Sequence, residues 1–267
     1  MKAYFSYFKL KFITGLQYRS AAWAGIATQF FFGFVYIMVY IAFYSSGDKN
    51  TPMTLSQVIT YLWLNQALLA LLNQFTRDKE LFNLVREGTI CYELARPKNL
   101  YFMWYFKVLG EKLSSVLLRF FPLILVTIIL PKPYNLGLPA SGYHFLLFII
   151  SLCVGSLLVV SLTILYPIVT LTTMNEKGIV NIMITIANIL SGISVPIPFF
   201  PDFLKKISAL LPFQYISDLP FRIYVGNIGI ETGIVNIFIQ FVWLLILISI
   251  GYFLMYKSLK RVTVQGG

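Results

Sequence analysis

The stretch from Tyr143 to Leu165 runs for more than twenty positions without one Asp, Glu, Lys or Arg. Five more apolar stretches accompany it: Ala22–Tyr44, Gln57–Phe75, Leu113–Leu130, Ile179–Val195 and Ile234–Tyr256. A helix needs about 20 apolar residues to cross a bilayer core. Stretches this long and unbroken leave few folds open. A barrel strand would alternate apolar and polar residues in short segments, which these do not. Only 12% of the chain is charged and 58% is hydrophobic, whereas a soluble domain carries about 25% charge. A soluble enzyme and a disordered chain are both excluded. The expected fold class is an all-α polytopic membrane protein with six transmembrane helices. The fourth span can run on toward Thr173, with a bend at Pro167 where a helix loses a hydrogen bond.

The net charge of +11 has a topological cause. With the N-terminus inside, the inner segments hold 16 Lys and Arg, Arg119 included, and the outer segments hold 5. Positive residues collect on the cytoplasmic side, so both termini are expected there. No nucleic-acid partner is needed to explain the charge. The first segment, 1–21, is read as an amphipathic interfacial helix rather than a cleaved signal. Phe5, Phe8, Phe12 and Leu16 recur at helical spacing, with Lys2, Ser6, Lys9 and Gln17 as a polar stripe.

Several chemistries lack their residues. No G-x-x-x-x-G-K-[ST] phosphate loop occurs. His144 is the one histidine and stands at the outer start of span 4, without the partners a zinc site needs. No pair of carboxylates lies within a span, so a proton relay has no evident carriers. Cys91 falls in a charged loop and Cys153 within a span, a placement that does not favour a disulfide. No catalytic residue, metal site or cofactor is expected in this chain.

Two connecting segments are informative. The inner one, Thr76–Lys112, spans 37 residues, and connections of that length usually carry function. Its Arg77–Glu87 part sets charges on one side and Leu81, Leu84 and Val85 on the other. This predicts a short amphipathic helix, capped by Gly88 in the left-handed conformation. Arg96-Pro97 then breaks the chain, and Leu100–Lys112 returns along the interface. The outer segment, 196–233, is too apolar for a solvated loop and too proline-rich for a span. Pro196, Pro198 and Pro201 should stop span 5. Asp202–Leu211 can form a short helix with Phe203, Ile207 and Leu210 on one face, ended by Pro212. Irregular backbone at membrane depth survives only inside protein or along a cavity, which predicts an outer re-entrant hairpin.

In these two segments the sequence resembles the permeases of ATP-binding-cassette (ABC) type-2 exporters. The outer pattern is Ser191-Gly192 followed by Pro196, then Pro201, Phe203, Leu204 and Leu211-Pro212-Phe213. The inner pattern is Arg86-Glu87-Gly88-Thr89-Ile90 through Leu94-Ala95-Arg96-Pro97. The resemblance extends over essentially the whole chain, as one domain over 1–267. It implies a subunit of a multi-pass bacterial or archaeal cell (inner) membrane transporter, surrounded by membrane lipid. Such a permease pairs with an identical or related permease and binds two cytoplasmic ABC ATPase subunits, which hold ATP and Mg. It has no ATPase site of its own. A coupling helix in the first inner loop passes the ATPase motion to the spans. By position, Arg77, Asp78, Lys79, Glu80, Arg86 and Glu87 are the expected coupling contacts.

Polar residues inside spans cost free energy against lipid and should face protein or a cavity. Asn65, Gln66, Asn73 and Gln74 lie in span 2; Asn181, Thr185 and Asn188 share a face of span 5. They are candidates for interhelical hydrogen bonds or, as the family resemblance implies, for the dimer interface or translocation path. Arg119 is an intramembrane charge about 9 Å into span 3 at 1.5 Å per residue. It can snorkel inward or find a partner such as Glu111. The expected cargo is hydrophobic or amphipathic: a lipid, peptide, antibiotic or drug-like molecule. Competing readings are an ATP-independent channel or secondary transporter, a membrane-embedded enzyme, and an immunity or sensor protein.

Overall fold

The computed structural model describes residues 2–47, 51–73, 78–94, 98–173 and 178–260. Among them the regular structure is helical. The order is α1 (Lys2–Gly15), α2 (Arg19–Ser45), α3 (Leu55–Leu72), α4 (Lys79–Arg86), α5 (Ile90–Leu94), α6 (Leu100–Ile129), α7 (Gly142–Thr173), α8 (Ile179–Leu190), α9 (Asp202–Leu210), α10 (Asp218–Tyr224) and α11 (Ile230–Leu259). Five helices, α2, α3, α6, α7 and α11, are long and apolar enough to cross a membrane. The chain is a polytopic helical membrane protein.

Helix α3 is the hub. Thr54 accepts a hydrogen bond from Gln57 N–H, and Gln57 Oε1 accepts one from Thr54 N–H, forming a capping box that fixes where the helix begins. Most of its residues are then buried, Tyr61, Trp63 and Ala67 completely. It packs on α2, α6, α7 and α10. Apolar burial among helices gains little in lipid, so packing and interhelical hydrogen bonds hold the bundle. Trp63 Nε1 donates to the Tyr134 carbonyl at 2.7 Å. Gln240 of α11 donates to the Ser151 carbonyl on α7 at 2.9 Å and to the Tyr215 carbonyl at 2.6 Å. Bonds of this kind stabilise a membrane bundle by about 0.6–2 kcal/mol each.

Three elements differ from the sequence expectation. Leu100–Lys112 is not separate from the third span; it is the first part of α6, a 30-residue helix. Asn99 caps it by accepting from Phe102 N–H at 3.3 Å. Tyr101, Trp104, Tyr105 and Val108 are then buried, and α6 packs on α1, α3 and α7. The expected span 179–195 forms a helix of only 12 residues, Ile179–Leu190, about 18 Å long. It ends before the prolines. Gly192 takes φ +80°, a conformation that favours glycine, and the chain turns at Ser191-Gly192. The N-terminal helix is shorter than the expected 1–21 and ends at Gly15, before Leu16 and Gln17. Tyr4 stacks on Phe106 of α6, and Phe8 and Phe12 lie half-buried, whereas Phe5 stands 64% exposed.

Candidate functional site

The inner segment folds as α4, a helix with two sharply different faces. Asp78 caps it, accepting from Leu81 N–H at 3.1 Å, and Gly88 closes it at φ +69°, as its sequence position predicts. Leu81, Phe82 and Val85 are buried. Phe82 packs in a cluster with Tyr166 of α7 and Val180 and Ile184 of α8. Asn83, Arg86 and Glu87 point outward, joined by an Arg86–Asn83 hydrogen bond of 3.0 Å and an Arg86–Glu87 pair of 3.6 Å. Gln74 and Arg77 lie outside the described residues, and Lys79 opens the helix.

Beneath α4 lies an ion-pair cluster. Lys107 of α6 is 1% exposed and pairs directly with Asp78. It also meets Glu111 at 3.0 Å and Glu80 at 3.3 Å. Lys11 of α1 closes the ring, 2.6 Å from Glu80 and 3.8 Å from Glu111. Partial burial pushes the Glu80 carboxyl up. The Lys11 hydrogen bond and the Lys107 charge outweigh it and hold the carboxyl below its usual range. One cap residue, Asp78, therefore ties α4 to a bilayer-length helix, and Glu80 ties it to α1. Lys11, Lys107 and Glu111 were not among the sequence candidates for this site. Their signal was the i, i+4 spacing of Lys107 and Glu111 at the entrance to a span.

A cavity of about 260 Å³ opens beside this cluster, lined among others by Asn73, Asp78, Glu111, Lys112, Ser115 and Arg119. Lys112 is buried and donates to the Asn73 carbonyl at 2.7 Å. Arg119 does not pair with Glu111. Its guanidinium lies against α2, so close that a Cβ on Gly25 would fall 2.6 Å from Arg119 Cζ. Its Nε is buried without a hydrogen-bond partner among the described residues.

The other polar candidates separate. Asn65 and Gln66 are buried on α3, and Asn65 Nδ2 donates to the Ile193 carbonyl at 2.6 Å. Asn73 ends α3. Asn188 is buried and donates to the Ile184 carbonyl of its own helix at 2.8 Å, whereas Asn181 and Thr185 are exposed.

The outer segment is held by a residue the sequence reading passed over. Asp218 is 1% exposed. Its Oδ1 accepts from Ile197 N–H at 3.0 Å and lies 3.1 Å from the Tyr61 hydroxyl; its Oδ2 meets Arg222 at 3.3 Å. Ser191 supplies its carbonyl to Asp218 N–H at 3.2 Å and to the Ser217 hydroxyl at 2.5 Å. Tyr61 also reaches the Gly192 carbonyl at 3.0 Å. Ser191 and Gly192 thus form the turn that Asp218 and α3 clasp. Pro196 and Pro212 are buried at the starts of short 3₁₀ turns. Pro201 precedes α9, whose Phe203, Ile207 and Leu210 are exposed along one face.

A family model described as ABC-2 family transporter protein matches residues 30–266. The comparison with curated proteins found no match.

Proposed function

The chain belongs to the ABC-2 transporter family, and from that premise we propose that it is the permease subunit of an ATP-driven exporter. In this reading α4 is the coupling helix, with Asn83, Arg86 and Glu87 presented to a cytoplasmic ATPase subunit. Two such subunits, which bind the ATP and Mg, serve a pair of permeases, identical or related. The complex sits in a bacterial or archaeal inner membrane with both termini of this chain cytoplasmic. The short helix α8 and the clasped segment after it make the sixth crossing together, with the outer hairpin re-entrant. The cargo is hydrophobic or amphipathic; Asn73, Asn181 and Thr185 face the path or the pair interface, and Asn65, Gln66 and Asn188, buried within this chain, set the packing behind it.

The observation that carries this reading is the two-sided anchoring of α4. Its apolar face is buried on α7 and α8, its cap is paired with Lys107 in α6, and its polar face is left outward. A push on the outer face would therefore be transmitted to several bilayer helices at once. The reading is tested by purifying the tagged chain from its native membrane in mild detergent and identifying companions by mass spectrometry. A companion carrying an ATPase phosphate loop supports it. Repeated recovery without one, under conditions that keep a known ABC complex intact, supports an ATP-independent channel or secondary transporter instead.

A further inference from the structure

Lys112, Ser115 and Arg119 stand at i, i+3 and i+7 on α6, which places them in one stripe along a single face. All three line the same cavity, with Leu69, Ala70 and Asn73 of α3 and Thr163 of α7 among the residues opposite. The two cations are about 10 Å apart along the helix axis. Side chains on a helix lean toward its N-terminus, so Arg119 leans toward Lys112.

Neither cation has a carboxylate partner among the described residues. Lys112 has the Asn73 carbonyl, and the Arg119 Nε has no hydrogen-bond partner among the described residues. The nearby acids are committed elsewhere: Asp78 and Glu111 pair with Lys107, and Glu80 with Lys11 and Lys107. Those three acids and two lysines leave one negative charge at the end of the cavity that Asp78 and Glu111 line. Lys112 and Arg119 reverse the sign farther along α6. A desolvated charge without a counterion is costly, and ionisable groups within spans mark ligand or ion pathways. A lysine, a hydroxyl and an arginine fork lining one space are the donor set of an oxyanion site.

We propose that the Lys112–Ser115–Arg119 stripe binds a phosphate-type oxyanion, and that Gly25 exists to let the Arg119 guanidinium lie beside the cavity. The oxyanion is either the headgroup of an amphiphile reaching in from the bilayer or a free phosphate. The proposal deepens the export reading by assigning the cargo an anionic head, and it rests on that reading only in calling the occupant cargo.

The test uses the purified full chain alone, without ATPase or nucleotide, and counts retained ligand by native mass spectrometry. The probes are dodecyl phosphate, the neutral dodecyl maltoside and inorganic phosphate. Wild type should retain one dodecyl phosphate, and Lys112→Met or Arg119→Gln should weaken this about tenfold or more, as loss of one charge-assisted hydrogen bond does. Inorganic phosphate held with the same dependence on the two variants would assign a free ion as the source; its absence beside retained dodecyl phosphate would assign an amphiphile. If Arg119→Gln fails to fold, Gly25→Ala carries the comparison: it keeps both cations, displaces the guanidinium, and should weaken retention as well. Equal retention of dodecyl phosphate by wild type and folded variants, or no retention by wild type, overturns the proposal. Because no ATPase is present, this result stands apart from success or failure in recovering one.

Discussion

Replacing Lys107 with methionine tests the ion-pair cluster that anchors α4. The side chain is 1% exposed and serves three carboxylates: Asp78 in direct contact, Glu111 at 3.0 Å and Glu80 at 3.3 Å. Methionine keeps the apolar stem and removes the charge. Breaking a buried pair from one side costs about 3–5 kcal/mol, because the partner charge stays buried and unmatched. The full figure does not apply here. The side chains of Glu80 and Glu111 are 51% and 36% exposed and can turn to water, so only Asp78, at 9%, is left stranded. The expected loss is therefore about 2–4 kcal/mol, a fall of about 5–10 °C in thermal midpoint for a chain of this size. Midpoints are read by size-exclusion of heated detergent samples. Asp78→Asn is the partner variant, since asparagine still caps a helix. The double variant should lose less than the sum of the singles by about 1 kcal/mol or more. An unchanged midpoint in Lys107→Met, or strict additivity in the double variant, would refute the anchoring argument.

Further outcomes follow from the same geometry. Arg86→Glu and Glu87→Lys should abolish recovery of an ATPase companion while insertion and midpoint stay unchanged, because both side chains point outward. Gly192→Ala should destabilise the outer turn and lower the midpoint, since φ is +80° and the added Cβ would lie 2.8 Å from both Asp218 Cβ and the Tyr61 hydroxyl. Asn188→Leu should leave the midpoint nearly unchanged, since it gives up the 2.8 Å bond to the Ile184 carbonyl but also removes an Oδ1 buried without a partner among the described residues, yet impair transport; an equal loss of folded protein would make the residue structural. The Glu80 carboxyl lies below its usual range when folded, so its contribution is present above the ordinary glutamate value and is lost as pH falls through the folded value. The Lys11→Met variant should accordingly differ from wild type in midpoint near neutral pH and converge with it in strong acid.

The fold class was legible because hydrocarbon length and hydropathy act locally. α2, α7 and α11 overlap their expected spans closely, and the two faces of α4 follow from the alternation of its charges with Leu81 and Val85. Gly88 was legible for the same reason: a helix C-terminus needs a left-handed residue, and glycine supplies it. What local pattern does not contain is pairing. Leu100–Lys112 carries the charges Lys107, Glu111 and Lys112, which argue for water. Lys107 and Lys112 are internal because Asp78, Glu80 and the Asn73 carbonyl come from distant parts of the chain to meet them. Asp218 was passed over for the same reason. One acid in an apolar segment reads as surface until Tyr61 and the Ile197 N–H close around it. The end of α8 was misplaced because three prolines are a louder signal than a serine and a glycine, although the turn occurs at the glycine.

The central claim is that the outer face of α4 receives an ATPase. A photo-crosslinking residue placed singly at Asn83 or Arg86, in the native membrane, tests it most directly, with Leu138, exposed in the α6–α7 connection, as the control position. The account predicts a covalent product with a nucleotide-binding ATPase from both α4 positions and none from Leu138. Crosslinks from α4 to lipid alone, or the same product from all three positions, would contradict it.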